Sequence, residues 1–89
     1  MKIIIVGGGK VGRATAKHLS GEGHDIVLVD KNYERIQHIS DRLDIMCVKG
    51  NCLKSGVLLS AGASSADLII ATTSSDEINM LCCLTAKRL

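Results

Sequence analysis

Apolar residues along the chain fall into four short blocks, and between the blocks they recur only every three or four positions. The blocks are KIIIV at 2–6, DIVLV at 25–29, DIMCV at 44–48 and DLIIATT at 67–73. Runs this short, rich in β-branched residues and without alternation, predict strands buried on both faces. Residues 10–20 carry a helical pattern that GEG at 21–23 ends, glycine being suited to a helix C-terminus. From Asn32, a good N-cap, Ile36, Ile39 and Leu43 make one buried stripe on a second helix. A shorter and weaker helical segment follows at 53–61, and Asp76 is placed to cap a last helix over 77–88. Strands alternating with helices predict a Rossmann-like α/β fold, a parallel sheet with helices on both faces. Right-handed crossovers give the strand order 3-2-1-4 and open a crevice beside the C-terminal ends of strands 1 and 4, where the order reverses. No linker, repeat or low-complexity stretch interrupts the 89 residues, so one domain over 1–89 is expected.

The first strand runs straight into GGGKVG. Gly7, Gly9 and Gly12 form G-x-G-x-x-G between a strand and a helix, which is the context a dinucleotide fingerprint requires. Gly7 permits the tight turn, Gly9 lets the backbone reach a pyrophosphate with no Cβ in the way, and Gly12 lets helix and strand pack closely. The N–H groups at the helix start, from Lys10 and Val11 onward, add about half a unit of positive charge from the helix dipole and attract phosphate. The Lys10 side chain either adds to that charge or is simply solvated. Glycine-rich turns also occur in proteins that bind nothing, so a second element matters. Asp30 supplies it at the end of the second strand, 18 residues after Gly12, where a carboxylate accepts hydrogen bonds from the adenosine ribose hydroxyls. The competing role for Asp30 is local, as a cap on the turn into the next helix. A carboxylate there repels a 2′-phosphate and favours NAD(H) over NADP(H), while Lys31 and Arg35 soften that preference.

Composition narrows the partners. With 46% hydrophobic and 22% charged residues the chain is globular, and no stretch reaches the roughly 18 apolar residues of a membrane helix. Lys2 is the only charge before the IIIV run of the first strand and no cleavable signal pattern follows it, so a cytoplasmic chain is expected. A net charge of +2, a pI near 8.4 and scattered Lys and Arg do not point to nucleic acid. Tyr33 is the only aromatic residue, which leaves no base-stacking platform. Cys47, Cys52, Cys82 and Cys83 lack paired C-x-x-C spacing and read as small buried apolar residues rather than metal ligands. His18, His24 and His38 lie in separate elements and read as structural or solvated.

Four segments, MKIIIVGGGKVG, DIVLVDKNYERI, VKGNC and DLIIATTSSDEINMLCCLTAK, together closely resemble the nucleotide-binding domain of Trk-type potassium-uptake regulators, a cytoplasmic family that regulates K⁺ conductance. The resemblance covers the whole chain. Its most specific part is ATTSSDEINM after strand 4, which ordinary dehydrogenases do not usually share. It implies NAD (NADH or NAD⁺), with ATP or ADP at the same site, as ligand. It also implies a membrane potassium transporter or channel subunit as partner, a location peripheral to the inner face of the membrane through that partner, and oligomeric assembly. By the same resemblance Asn51 and Cys52 lie near the adenine, and Thr72 and Thr73 near the rest of the dinucleotide. Cysteine at 52 departs from the small or polar residue common there. Domains of the family normally have two further strands, so the resemblance implies a domain truncated after the fourth strand and helix.

The same three glycines and acidic residue would also serve the cofactor domain of an NAD-dependent dehydrogenase, and fold alone does not separate the two. A dehydrogenase also needs a proton-transfer group near the nicotinamide, and none of the three histidines falls in a loop at the strand C-termini. Asp76 and Glu77 read as a cap and a first-turn carboxylate. A regulatory, non-enzymatic domain is therefore expected. On the last helix Ile78, Leu81, Cys82 and Thr85 form one stripe, and Met80, Cys83, Leu84 and Lys87 form another that is also largely apolar. A helix apolar on two faces predicts a homodimer through 77–88, unless further chain covers the second face.

Overall fold

A computed structural model describes all 89 residues, Met1–Leu89. The chain runs β1 (Lys2–Val6), α1 (Lys10–Gly21), β2 (Asp25–Asp30), α2 (Tyr33–Arg42), β3 (Met46–Lys49), α3 (Ser55–Ser60), β4 (Leu68–Ala71) and α4 (Asp76–Lys87), with a 3-10 turn at Ala63–Ser65 after α3. The strands form one parallel sheet in the order β3-β2-β1-β4, as the block pattern predicts. Central β1 takes Ile4 opposite Val27 on one side and Ile69 on the other.

Two cores lie on opposite faces of the sheet, because successive strand residues point to opposite sides. Ile3, Ile5, Ile26 and Leu28 pack with Ala16 of α1 and Ile39 of α2. Ile4, Val6, Val27 and Val29 pack with Leu58 of α3 and Cys82 of α4. Ile3, Ile4 and Ile5 are 2% exposed or less, and burying side chains of this size stabilises the fold by about 1.5–3 kcal/mol each. The β1 block is therefore the anchor from which the glycine loop projects.

Element ends differ from the sequence expectation where side chains leave the sheet. β3 starts at Met46 rather than 44, since pairing begins only where Met46 meets Val27. β4 stops at Ala71: beyond it the Thr72 N–H still donates to Val6 O at 2.8 Å, but the Thr72 hydroxyl also turns to Val6 O and the Thr73 hydroxyl bonds locally to Ser75 O. α4 begins one residue early, and its N-cap is Ser75, whose Oγ accepts from the Ile78 N–H at 3.2 Å; Asp76 sits in the first turn instead. Asn32 caps α2 as expected, accepting from the Arg35 N–H at 3.1 Å.

The buried stripe of α4 is also narrower than its sequence suggests. Cys82 is fully buried, with Ile78, Thr85 and Ala86 partly covered, whereas Leu81 is 51% exposed and joins Met80 and Leu84 on the outer face. The helix packs on edge strand β4 and against α3, and these supports cover only one row of side chains. The same geometry buries Cys82 and leaves Cys83 exposed, while Cys52, in the loop after β3, is buried and Cys47, on β3, is half-buried. No helix is long and apolar enough to cross a membrane.

Candidate functional site

The C-terminal ends of β1, β2 and β4 converge on the glycine loop. Gly7 has φ +106°, in the left-handed region that favours glycine, and its N–H donates to Val29 O at 2.8 Å. That turn carries the backbone off β1 and into α1. A Cβ on Gly12 would overlap the Gly7 carbonyl oxygen, so the absence of a side chain at 12 lets α1 start directly against the turn. Thr72 closes the loop from β4, its Oγ1 donating to Val6 O at 3.0 Å and lying 3.2 Å from Gly7 O. A Cβ on Gly9 would meet nothing within 4 Å, so the space above it is free for a ligand. Gly9 is also the N-cap of α1 and supplies no side-chain acceptor, which leaves the first-turn N–H groups facing that space.

Asp30 takes the local role the sequence allowed, on the turn into α2, and adds a bond to the glycine loop. Its Oδ2 accepts the Gly8 N–H at 2.6 Å, and its Oδ1 accepts the Asn32 N–H at 2.7 Å, so it ties the glycine loop to the turn into α2. The side chain is 6% exposed and lies 3.6 Å from Arg35 Nη1. A buried carboxylate with two backbone donors and a guanidinium is compensated, and it sits at the edge of the free space over Gly9. Gly8 is the contact that motif reading missed, because it occupies an unspecified position of the fingerprint; a Cβ there would come within 3.0 Å of Ile39 Cδ1.

The remaining candidate residues divide. Lys10 and Val11 are exposed at the start of α1, and Lys31 is exposed just beyond Asp30. Gly50 N–H donates to Asp30 O at 3.0 Å, so the exit of β3 brings Asn51 beside the β2 exit; Asn51 is exposed and its Oδ1 accepts the Leu53 N–H. The Cys52 side chain turns away into the core that also holds Leu58 and Cys82. Burial and the neighbouring Cys52 and Cys83 thiols push Cys82 up to about 12, so it is a protonated core group at neutral pH. Thr73 belongs to the base of α4: its Oγ1 is 2.6 Å from Asn79 Oδ1, and the Asn79 amide returns a bond to Thr73 O at 3.1 Å.

Beside the glycine loop a cleft of about 410 Å³ opens toward α2, lined by Lys10, Arg13, Arg35 and His38 and by no hydrophobic residue. The loop, the Asp30 carboxylate at its edge and this basic wall together suit a phosphate-bearing ligand.

A family model described as the TrkA-N domain matches residues 3–89. Among curated proteins, the Trk system potassium uptake protein TrkA of Vibrio alginolyticus is 44% identical over 86 residues, 97% of this chain and 19% of that protein. Its counterpart in Halomonas elongata is 45% identical over 89 residues, 100% of this chain and 20% of that protein. The chain thus spans about a fifth of the length of these relatives. Among solved structures, the TrkA-N domain of the inner membrane protein ybaL from Escherichia coli has a TM-score of 0.90 at 20% identity, covering 98% of this chain and 64% of that one. The GsuK channel bound to NAD has a TM-score of 0.87 at 30% identity, covering 99% of this chain and 16% of that one. An anaerobillin reductase of Escherichia coli O157:H7 shares the fold alone, with a TM-score of 0.75 at 17% identity over 99% of this chain and 46% of that one.

Proposed function

Since the chain belongs to the TrkA-N domain family, we propose that residues 1–89 form one nucleotide-binding domain that takes NAD(H) and whose ligand state controls a membrane potassium transporter or channel. The observation that carries this reading is the Gly7–Gly12 turn, anchored to Asp30 through the Gly8 N–H and left open over Gly9 and the first turn of α1. The pyrophosphate lies on those N–H groups, the adenosine ribose meets Asp30, and Asn51 borders the adenine side. Thr72, held under the loop, shapes the floor of the site. ATP or ADP would use the same loop. The NAD-bound GsuK channel, at 30% identity, supports a dinucleotide as ligand and a channel as the regulated partner. The domain works in the cytoplasm, at the inner face of the membrane, through that partner.

The domain is a regulator and not an enzyme on this reading, because none of the three histidines lies in a loop at the C-terminal ends of the strands: His18 pairs with Glu22 at the far end of α1, His24 precedes β2, and His38 sits within α2 on the wall of the cleft. Two copies associate through the outer face of α4, where Met80, Leu81 and Leu84 are 66%, 51% and 57% exposed. Calorimetric titration of NADH, NAD⁺, NADPH and ATP into the purified chain tests the reading. Saturable binding of NADH or NAD⁺ is expected; heat changes no larger than dilution for all four would overturn it, and turnover of bound NADH with a carbonyl substrate would restore the dehydrogenase alternative.

A further inference from the structure

Charge is placed unevenly on the domain. On α1, Lys10, Arg13 and Lys17 recur at spacings of three and four, and on α2 Arg35, His38 and Arg42 do the same. Both helices connect parallel strands, so they run from the glycine-loop rim of the sheet toward its opposite rim, and their last turns lie farthest from the nucleotide site. There the surface opens into a second recess of about 470 Å³, in which Lys17 and Arg42 stand beside Ala14, Ile39 and Leu43. No carboxylate lines it. Four of the chain's 11 Lys and Arg residues do: Lys10, Arg13, Lys17 and Arg42. Outside these four, seven cations remain against nine Asp and Glu, so the rest of the domain carries −2 while the recess carries +4. The domain's side-chain ion pairs, His18–Glu22 and Arg35–Asp30, use none of the four. Arg42 Nη1 donates to His38 O at 3.1 Å, which holds the guanidinium against α2 with its charge unmatched.

We propose that this recess docks an acidic amphipathic helix of a partner protein, which lays an aliphatic stripe on Ala14 and Leu43 and sets carboxylates against Arg13, Lys17 and Arg42. Charge complementarity selects the sign of the partner and steers its approach. The apolar floor selects its shape, because a helix with one aliphatic face fills a groove that its flanking carboxylates then rim. A planar anionic membrane meets cations that protrude together and does not reach a recessed floor. The proposal does not rest on the nucleotide reading, since Lys17, Arg42 and Leu43 line this recess and not the cleft beside the glycine loop.

The test titrates the whole domain into a fluorescently labelled synthetic peptide with leucines at i, i+4 and i+7 and glutamates between them, read by anisotropy. A peptide of the same composition in scrambled order and vesicles of phosphatidylglycerol with phosphatidylcholine are the comparisons. The variants are Lys17→Glu with Arg42→Glu, which reverses the rim, and Ala14→Gln, which fills the floor without changing charge. All three side chains are exposed, so thermal unfolding by circular dichroism should match the wild type. Saturable binding of the amphipathic peptide is expected, weakened about tenfold or more by the double reversal and also by Ala14→Gln, and falling steeply with salt. NADH affinity should be the same in all three proteins. No saturation, or equal binding of the scrambled peptide, would overturn the docking site. Vesicle binding that the reversal abolishes, with the peptide unbound, would assign the surface to the membrane instead. A change in sedimentation on reversal would assign it to a second copy of the chain, and a parallel loss of NADH affinity would return the recess to the nucleotide site; either result overturns the proposal.

Discussion

Gly12→Ala and Gly9→Ala separate what the glycine loop needs in order to fold from what it needs in order to bind. At position 12 the new methyl would overlap Gly7 O and come within 2.9 Å of both Gly7 C and Thr72 Oγ1. The obstacle is backbone, so relief requires α1 to move off β1. Overpacking of this kind costs about 1–3 kcal/mol, and loosening the Thr72 hydroxyl from its carbonyls adds about 1 kcal/mol. The sum, about 2–4 kcal/mol, is a large part of the roughly 4–13 kcal/mol available to an 89-residue domain. At about 4–8 °C per kcal/mol, the thermal midpoint should fall by at least about 8 °C. At position 9 the methyl meets nothing, and φ −74°, ψ −166° is backbone any residue adopts. Loss of a glycine cap costs about 0.5–1 kcal/mol and reduced freedom of the unfolded chain returns about 0.4–1 kcal/mol, so the midpoint should barely move. NADH affinity, however, should drop about tenfold or more, because the methyl fills the approach to the loop. Thermal unfolding by circular dichroism with calorimetric titration reads both quantities. A Gly12→Ala protein with wild-type stability, or a Gly9→Ala protein with wild-type affinity, would refute the division of roles.

Asp30→Ala strips the acceptor from two backbone donors and should cost about 2–4 kcal/mol in urea unfolding, as well as weakening NADH about tenfold; equal NADH affinities would remove Asp30 from the site. A thiol-reactive chromogenic disulfide at pH 8 should label exposed Cys83 rapidly and buried Cys82 only on unfolding; rapid labelling of Cys82 would contradict its place in the core. Because the folded Cys82 holds its proton to about pH 12 while the unfolded thiol releases it near 9.0, stability should be level below that lower value and decline between the two; a Cys82→Ala variant losing stability equally over that window would assign the decline elsewhere. Sedimentation should give a dimer at micromolar concentration that Met80→Glu or Leu84→Glu weakens; a monomer, or a dimer indifferent to both changes, would refute association through α4.

The architecture was legible because its signals are local and mutually consistent. Three isoleucines before three glycines set the anchor strand and its turn, and Asp30 at the end of β2 placed the opposite wall. The losses came where one side chain chooses among equivalent partners. Ser75 and Asp76 are both good caps, and only the path out of β4 selects the serine. Leu81 fits a buried helical stripe by spacing, yet the width of that stripe depends on how much sheet lies beneath the helix. The basic groove was hidden for another reason: a search for contiguous charge finds no run, while rows at three- and four-residue spacing on two helices meet only when α1 and α2 pack side by side.

The position of β1 has a consequence for how the chain is made. Ile5 pairs with Leu28 on one side and with Ile70 on the other, 65 residues further along. At ribosomal rates of roughly 5–20 residues per second, the second neighbour emerges about 3–13 s after the strand it completes. Throughout that interval the most apolar strand in the molecule has one hydrogen-bonding edge unpaired, and a nascent chain in that state is a template for any other strand it meets. The segment that closes the glycine loop through Thr72 is thus also the one that ends this exposure, so slow translation upstream of β4 would lower the yield of folded protein without altering a residue.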